Sequence, residues 1–151
     1  MRFISALSLV VAGGCATQDV EVLSSSARYP GYPDALFAAI ESTCAQPADT
    51  LLRPKRGLIE CRSYLSPEET AALIINFDGT PEKLPQLVMR FEAMLEDSGS
   101  YLVDYEAFID VPQKSGAPVR VSQQSPWVLR RMAQIFRLSG GEMVAAPVEK
   151  T

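Results

Sequence analysis

The clearest pattern along the chain is an alternation of apolar and polar positions between residues 85 and 112. It is interrupted at residues 97–100, where aspartate, serine and glycine take over. Because successive side chains of a strand point to opposite faces, the alternation predicts two long strands joined as a hairpin. One face of the second strand is apolar, and the opposite, mixed face carries Leu102, Asp104, Glu106, Phe108 and Asp110.

A shorter hairpin is predicted over residues 50–65. Pro54 and Gly57 mark its turn, and a strand-like alternation follows. Ile59 and Cys61 fall on the same face of that strand, which we expect to pack against the preceding helix. A short edge strand is also predicted at residues 119–121.

Two of three predicted helices are marked by apolar residues at helical spacing. The first, residues 33–43, begins with a proline, which suits the first helical position. Its apolar face comprises Leu36, Ala39, Ile40 and Thr43. The last, residues 127–138, follows a serine and a proline, and its apolar stripe comprises Val128, Leu129, Met132, Ile135 and Phe136.

The middle helix begins at a capping box, in which Ser66 is the N-cap, a proline follows it and Glu69 takes the third position. Two readings of residues 73–77 stay open. The segment either continues the helix as far as Gly79 or forms a short buried strand before a turn. The capping box favours the helix.

These elements predict an α+β fold in the order α-β-β-α-β-β-α. An antiparallel sheet of about four strands carries helices on one face, in a single globular domain over residues 33–139. Residues 15–32 are predicted to be a flexible tether and residues 140–151 a loose C-terminal tail. Within the tether, Tyr29 and Tyr32 have no obvious core partner.

The N-terminus has the pattern of an export signal. A basic start is followed by an uncharged, mostly apolar run at residues 3–12, which is too short to span a bilayer. Residues 11–15 (VAGGC) resemble the lipobox of bacterial lipoproteins, although Ala12 stands where that family usually has leucine. The resemblance implies removal of residues 1–14 as a signal peptide and lipidation of Cys15. Ordinary signal cleavage just beyond the cysteine, or a cytoplasmic protein with an apolar N-terminus, are the alternatives.

The lipobox resemblance also implies a location. The cysteine of such proteins carries more than one acyl chain, palmitate among them, and more than one chain makes membrane binding stable. In this family an aspartate after the cysteine favours retention at the inner membrane, whereas Ala16 stands there in this chain. The resemblance therefore implies the periplasmic face of the outer membrane, with the inner membrane as the alternative.

The chain has three cysteines and no histidine. With Cys15 lipidated, Cys44 and Cys61 remain as a pair, which predicts a disulfide in an oxidising compartment. On the chain-entropy account, closing this loop stabilises the fold by about 3 kcal/mol. Two thiolates without a histidine make a poor metal site, so we predict neither a metal nor a cofactor.

A formal net charge of −4 argues against nucleic acid as a partner. The lack of histidine excludes Ser-His-Asp and Cys-His catalysis, and no phosphate-binding loop or nucleophile elbow is present. Carboxylate pairs such as Glu92 with Glu106, or Asp104 with Asp110, fit the solvated face of a sheet better than an active site. We therefore predict that the protein is not an enzyme.

The mixed face of the long hairpin is the candidate partner-binding surface. Met94, Leu102 and Phe108 lie there among charges, and an apolar patch with a charged rim is typical of interaction surfaces. A loop or the tail covering this face is the alternative. The surrounding charges are those of Arg90, Glu92 and Glu106.

The sequence thus predicts a membrane-anchored periplasmic lipoprotein that binds a partner protein of the cell envelope, as an accessory, assembly or scaffolding factor. The alternative is a ligand-binding module for peptidoglycan, lipid or a small solute, with a groove between helices and sheet. Trp127 is predicted to cover the core. Two basic clusters are either solvated or docking patches, and they comprise Arg53, Lys55 and Arg56, and Arg130, Arg131 and Arg137.

Overall fold

Residues 25–144 of the computed structural model are described, and they form an antiparallel α+β fold with seven strands and three helices. The predicted signal peptide, Cys15 and residues 145–151 lie outside this part of the chain. None of the described helices is long and apolar enough to cross a membrane. The strands are β1 Ser26–Tyr29, β2 Thr50–Lys55, β3 Leu58–Tyr64, β4 Gln86–Leu95, β5 Tyr101–Val111, β6 Val119–Ser122 and β7 Glu142–Met143, and the helices are α1 Asp34–Thr43, α2 Pro67–Asn76 and α3 Pro126–Leu138.

The central strand of the sheet is β5, around which the order is β2-β3-β4-β5-β1-β7. One edge of β5 pairs with β4 along its length, from Tyr101 opposite Leu95 to Asp110 opposite Gln86. The other edge is shared by two short strands, because β1 pairs with residues 101–104 and β6 with residues 108–111. The long hairpin is therefore the frame on which the remaining strands are assembled.

Two predictions about the strands are wrong. The sheet has seven strands instead of about four, and the element order is β-α-β-β-α-β-β-β-α-β. The part of the predicted tether that spans residues 26–29 is β1, and the start of the predicted tail contains β7. These two strands pair with each other, Ala27 opposite Met143. Both strands are too short to show a periodic pattern, so they are defined only by their pairing in the tertiary structure.

The side chain of Tyr29 holds these terminal strands in the core, contrary to the expectation that it lacks a core partner. It is 3% exposed, and its hydroxyl lies 2.7 Å from the Ser139 hydroxyl. Its ring lies directly against Gly141, where a Cβ atom would come within 2.6 Å of the ring. Burying a tyrosine with its hydroxyl bonded is a substantial apolar gain for so short a strand.

The local predictions for hairpins and helix ends are confirmed. Both hairpins form, and the turn between β2 and β3 uses Gly57 at a φ of 80°. Ser66 and Glu69 make the reciprocal bonds of the capping box. The helix α2 continues to Asn76, so the helical reading of residues 73–77 is correct. It ends before Gly79, whose N–H bonds to the Ile74 carbonyl after a left-handed residue, as in a Schellman ending.

The core lies between the sheet and the helices α1 and α3. Leu36 and Ile40 of α1 are buried as predicted, but Phe37 takes the place expected for Ala39 and Thr43, which are exposed. On α3, Phe136 is fully buried, and Val128, Met132 and Ile135 of the predicted stripe pack against the cluster while partly exposed. Leu129, the remaining member of the stripe, is partly exposed. The strand residues of the cluster, all on one face of the sheet, are Ala27, Tyr29, Ile59, Phe91, Val103, Tyr105 and Ala107.

The predicted disulfide between Cys44 and Cys61 is confirmed. It joins the residue after α1 to the middle of β3, with Cα atoms 5.8 Å apart. Both cysteines are buried. The cross-link therefore pins α1 to the sheet on the core side, as the alternation of β3 predicts.

Candidate functional site

The predicted partner-binding residues all lie on one face of the β4–β5 hairpin, the face opposite α1 and α3, which we call the outer face. Their registers fix their neighbours: Met94 lies opposite Leu102, and Arg90 lies opposite Glu106. In an antiparallel pair, directly opposite residues share a face and contact each other. Parity in the sequence therefore placed these side chains on the correct face.

A chain of ion pairs runs across the outer face from β2 to β5. Individual surface ion pairs contribute little to stability, but a network of partly buried ones fixes the positions of its members. Glu92, which bonds to Lys55 and Arg90, has a lowered pKa because of these contacts. The members, each within 2.6–3.9 Å of the next, are Lys55, Glu92, Arg90, Glu60, Arg62 and Asp110.

We call this chain of ion pairs the ion-pair ladder. Only some of its members have a signal in the sequence. Glu60 and Arg62 occupy alternate positions of β3, which is the spacing that puts two charges on one face. That spacing was a usable signal. Their partners on β4 and β5 follow from strand pairing, for which the sequence offers no local signal.

Phe108 does not form the exposed centre of the outer face. It is 6% exposed, because the Arg120 guanidinium of β6 lies 4.5 Å from its ring centroid. The edge strand β6 thus covers this end of the outer face. For Phe108, the alternative that the face is covered is therefore the correct one. A cation–π contact of this kind also orients the arginine.

Apolar surface remains exposed near the loop end of the hairpin. Met94 is 42% exposed, and Leu102 opposite it is partly exposed. Arg28 of β1 lies beside Leu102 and donates two bonds, of 2.6 and 2.8 Å, to Glu96. We call Met94 and Leu102, with the charged rim of Arg28, Glu92 and Glu96, the hairpin patch.

A second candidate site lies on the core side, where the first turns of α3 cross β4 and β5. This α3 groove has a volume of about 280 Å³. Trp127 stands at its border and is 67% exposed, so the prediction that it covers the core is wrong. The apolar walls comprise Leu87, Met89, Ala107, Val128 and Met132, and Tyr105, Gln123, Ser125 and Arg131 also line the groove.

A smaller apolar cavity of about 130 Å³ lies next to the groove, between α1 and α3. The two cavities share Met89 and Met132 as walls. Its other lining includes the disulfide and the side chains of Phe91 and Ile135. The sequence predicted only a groove between helices and sheet, because the position and lining of each cavity depend on how α3 packs on the sheet.

No protein-family model, curated protein or solved structure matches this chain.

The two basic clusters differ in how far their charges are free. In the first, Arg53 pairs with Glu41, and Lys55 pairs with Glu92 in the ladder. Its third member, Arg56, lies 5.2 Å from the Tyr32 ring centroid. The second cluster lies along α3, where Arg130, Arg131 and Arg137 are exposed. Within residues 25–144, all three charges of the second cluster are free of ion pairs, whereas only Arg56 is in the first.

The environment of Glu92 on the outer face does not favour general acid catalysis. Glu92 lies opposite Asp104, not Glu106, and Asp104 accepts a 2.6 Å bond from Ser26. The pKa of Glu92 is lowered, whereas a general acid needs a raised one. Asp110 keeps one buried oxygen without a hydrogen bond from any described residue, but its other oxygen pairs with Arg62.

One cluster of potential metal ligands occurs in the described chain, formed by Cys44, Cys61 and Asp49. The two sulfur atoms are bonded to each other and offer no thiolate. Asp49 instead accepts a 2.7 Å bond from Ser63. The cluster is therefore the surroundings of the disulfide.

Proposed function

We propose that this protein is a membrane-anchored lipoprotein of the bacterial envelope that binds a partner protein, as an accessory, assembly or scaffolding factor. The lipobox resemblance supports an anchor at Cys15 on the periplasmic face of the outer membrane. The first described residue, Ser25, follows Cys15 by ten positions. An extended chain of that length reaches about 35 Å, so an anchored domain stays close to the membrane.

The observation that carries the partner-binding proposal is the exposed Met94–Leu102 pair on the outer face. A sheet needs one buried face, and here α1 and α3 supply it. Methionine is enriched at interface centres, while charges belong to the rim. The ion-pair ladder and the Arg28–Glu96 pair support this surface by holding its rim in fixed positions.

We expect Met94→Asp to abolish capture of the partner by the mature protein while leaving its melting temperature nearly unchanged. The side chain is exposed, so a charge there costs little in folding but is costly at the centre of an interface. Chemical crosslinking in cells followed by affinity purification measures the capture. Ile75→Asp, at an exposed apolar position of α2, is the matched control and should capture normally. Equal capture by the Met94→Asp and Ile75→Asp proteins would refute the proposed surface.

A ligand-binding module is the second candidate function, and the α3 groove favours it. Binding sites for small molecules are apolar concavities with a few polar groups, and this groove has that composition. Peptidoglycan fragments, lipids and small solutes are the candidate ligand classes. A small molecule retained on the purified protein in native mass spectrometry would support this candidate independently of the outer face.

A further inference from the structure

We propose that the α3 groove binds a single-chain amphiphilic carboxylate, with its acyl chain in the groove and its head group between Arg131 and Tyr105. This inference rests on the ligand-binding candidate and gives its ligand a chemical class. Three independent features of the described residues carry it: the apolar walls, the positive border and a tyrosine hydroxyl that makes no hydrogen bond to any described residue.

The walls favour one acyl chain. The groove volume of about 280 Å³ lies at the small end of ligand sites, which usually range from about 300 to 1,000 Å³. Met89 and Met132 separate it from the adjacent cavity of about 130 Å³. Methionine side chains are unbranched and adapt readily, so their movement joins the two cavities for a longer chain.

The border of the groove is positive. The helix α3 has thirteen residues and no acidic residue in its first turn, so its N-terminal dipole is not compensated there. Arg131, one and a half turns into the helix, lines the groove and makes no ion pair within residues 25–144. An anionic head group is the complement of this border.

The groove is also lined by a tyrosine whose hydroxyl makes no hydrogen bond within the described residues. Tyr105 lines the groove and is 1% exposed, yet its phenol makes no hydrogen bond with any residue between 25 and 144. Burial raises the pKa of Tyr105 to about 12, so the phenol is a neutral donor at physiological pH. The Tyr105 hydroxyl can therefore donate to a carboxylate oxygen in the groove, and a charge-assisted hydrogen bond of this kind is a strong one.

A single carboxylate fits these groups better than a phosphate lipid. One guanidinium, one phenol and one helix terminus suit a head group of one negative charge. The two acyl chains of a phospholipid exceed a groove of this size. The test therefore includes a phospholipid as a separate arm.

Fluorescence of Trp127 tests the proposal, because the chain has one tryptophan and it borders the groove. We expect decanoate to change its emission saturably, and decanol to bind more weakly because it lacks the charge. Arg131→Ala should weaken decanoate binding roughly tenfold, the loss of a charge-assisted bond, and leave decanol unaffected. Arg137→Ala, exposed in the last turn of the same helix, is the matched control.

Tyr105→Phe provides a second variant that retains the packing of the ring. Because its hydroxyl loses no bond within the described chain, this protein should fold normally and bind decanoate several-fold more weakly. The proposal is overturned if decanoate gives no saturable change, if decanol binds equally well, or if Arg131→Ala and Arg137→Ala behave alike. Binding of phosphatidylglycerol vesicles without decanoate binding also overturns it, but leaves the ligand-binding candidate standing.

Discussion

At the scale of single residues, exposure depends on neighbours that the sequence does not reveal. Alternation correctly placed Phe108 on the mixed face of β5. Its burial, however, is due to Arg120, whose guanidinium covers the ring because β6 pairs with the end of β5. Met94 sits on the same face without such a cover. Strand parity thus predicts the face of the sheet on which a side chain lies, whereas the exposure of that side chain depends on the tertiary arrangement.

Glu96 is the residue whose ionisation responds most clearly to the fold. Hydrogen bonds from Arg28 and then Ser100 lower the pKa of its carboxyl from 4.5 to about 2. A group with a lowered folded pKa stabilises the protein above its unfolded pKa, and this contribution is lost as the pH falls through the folded pKa. The relevant window is therefore from pH 4.5 down to about 2.

We expect the free energy of unfolding to fall in this acid window, and Glu96→Gln to make the fall shallower. Urea unfolding measured across the window checks this expectation. Glu106→Gln, at an exposed position with no ion pair in the described chain, is the control and should keep the wild-type slope. An unchanged slope for Glu96→Gln would show that the Arg28 pair does not form in solution.

At the scale of elements, the sequence predicted those whose signals are local. The long alternation predicted the β4–β5 hairpin, the box of Ser66 and Glu69 predicted the start of α2, and cysteine pairing predicted the disulfide. The strands β1 and β7 were missed because four and two residues cannot show a period. They exist because they pair with β5 and with each other across the length of the chain.

We expect Gly141→Ala to loosen this terminal pair. The added Cβ lies 2.6 Å from the buried Tyr29 ring, so the ring or the backbone must shift, and overpacking of this kind costs about 1–3 kcal/mol. Hydrogen exchange of the β1 amides, together with the melting temperature, measures the effect. Gly31→Ala is the control, because a Cβ there meets no atom within 4 Å. Wild-type protection of β1 in the Gly141→Ala protein would show that the two strands are not held by this contact.

At the scale of the whole molecule, the two candidate sites use opposite faces of one sheet. The hairpin patch lies on the outer face near the β4–β5 loop, and the α3 groove lies on the core side. The two sites share no side chain, so the proposed partner and the proposed ligand would not compete for the same residues. The proposed anchor precedes β1, the strand that contributes Arg28 to the rim of the patch. The residues of the outer face could be predicted from the sequence because they follow strand parity. The α3 groove could be predicted only as a groove between helices and sheet, without its lining residues.

We propose that the hairpin patch contacts an envelope partner while Cys15 holds the protein at the membrane. Photo-crosslinking in living cells tests this most directly, with a photoreactive phenylalanine analogue at position 94 or, as the control, at position 75. We predict one discrete protein adduct from position 94, none from position 75, and a strongly reduced yield when Cys15→Ser removes the anchor. Equal adducts from both positions, or no adduct from position 94 in the anchored protein, would contradict the claim.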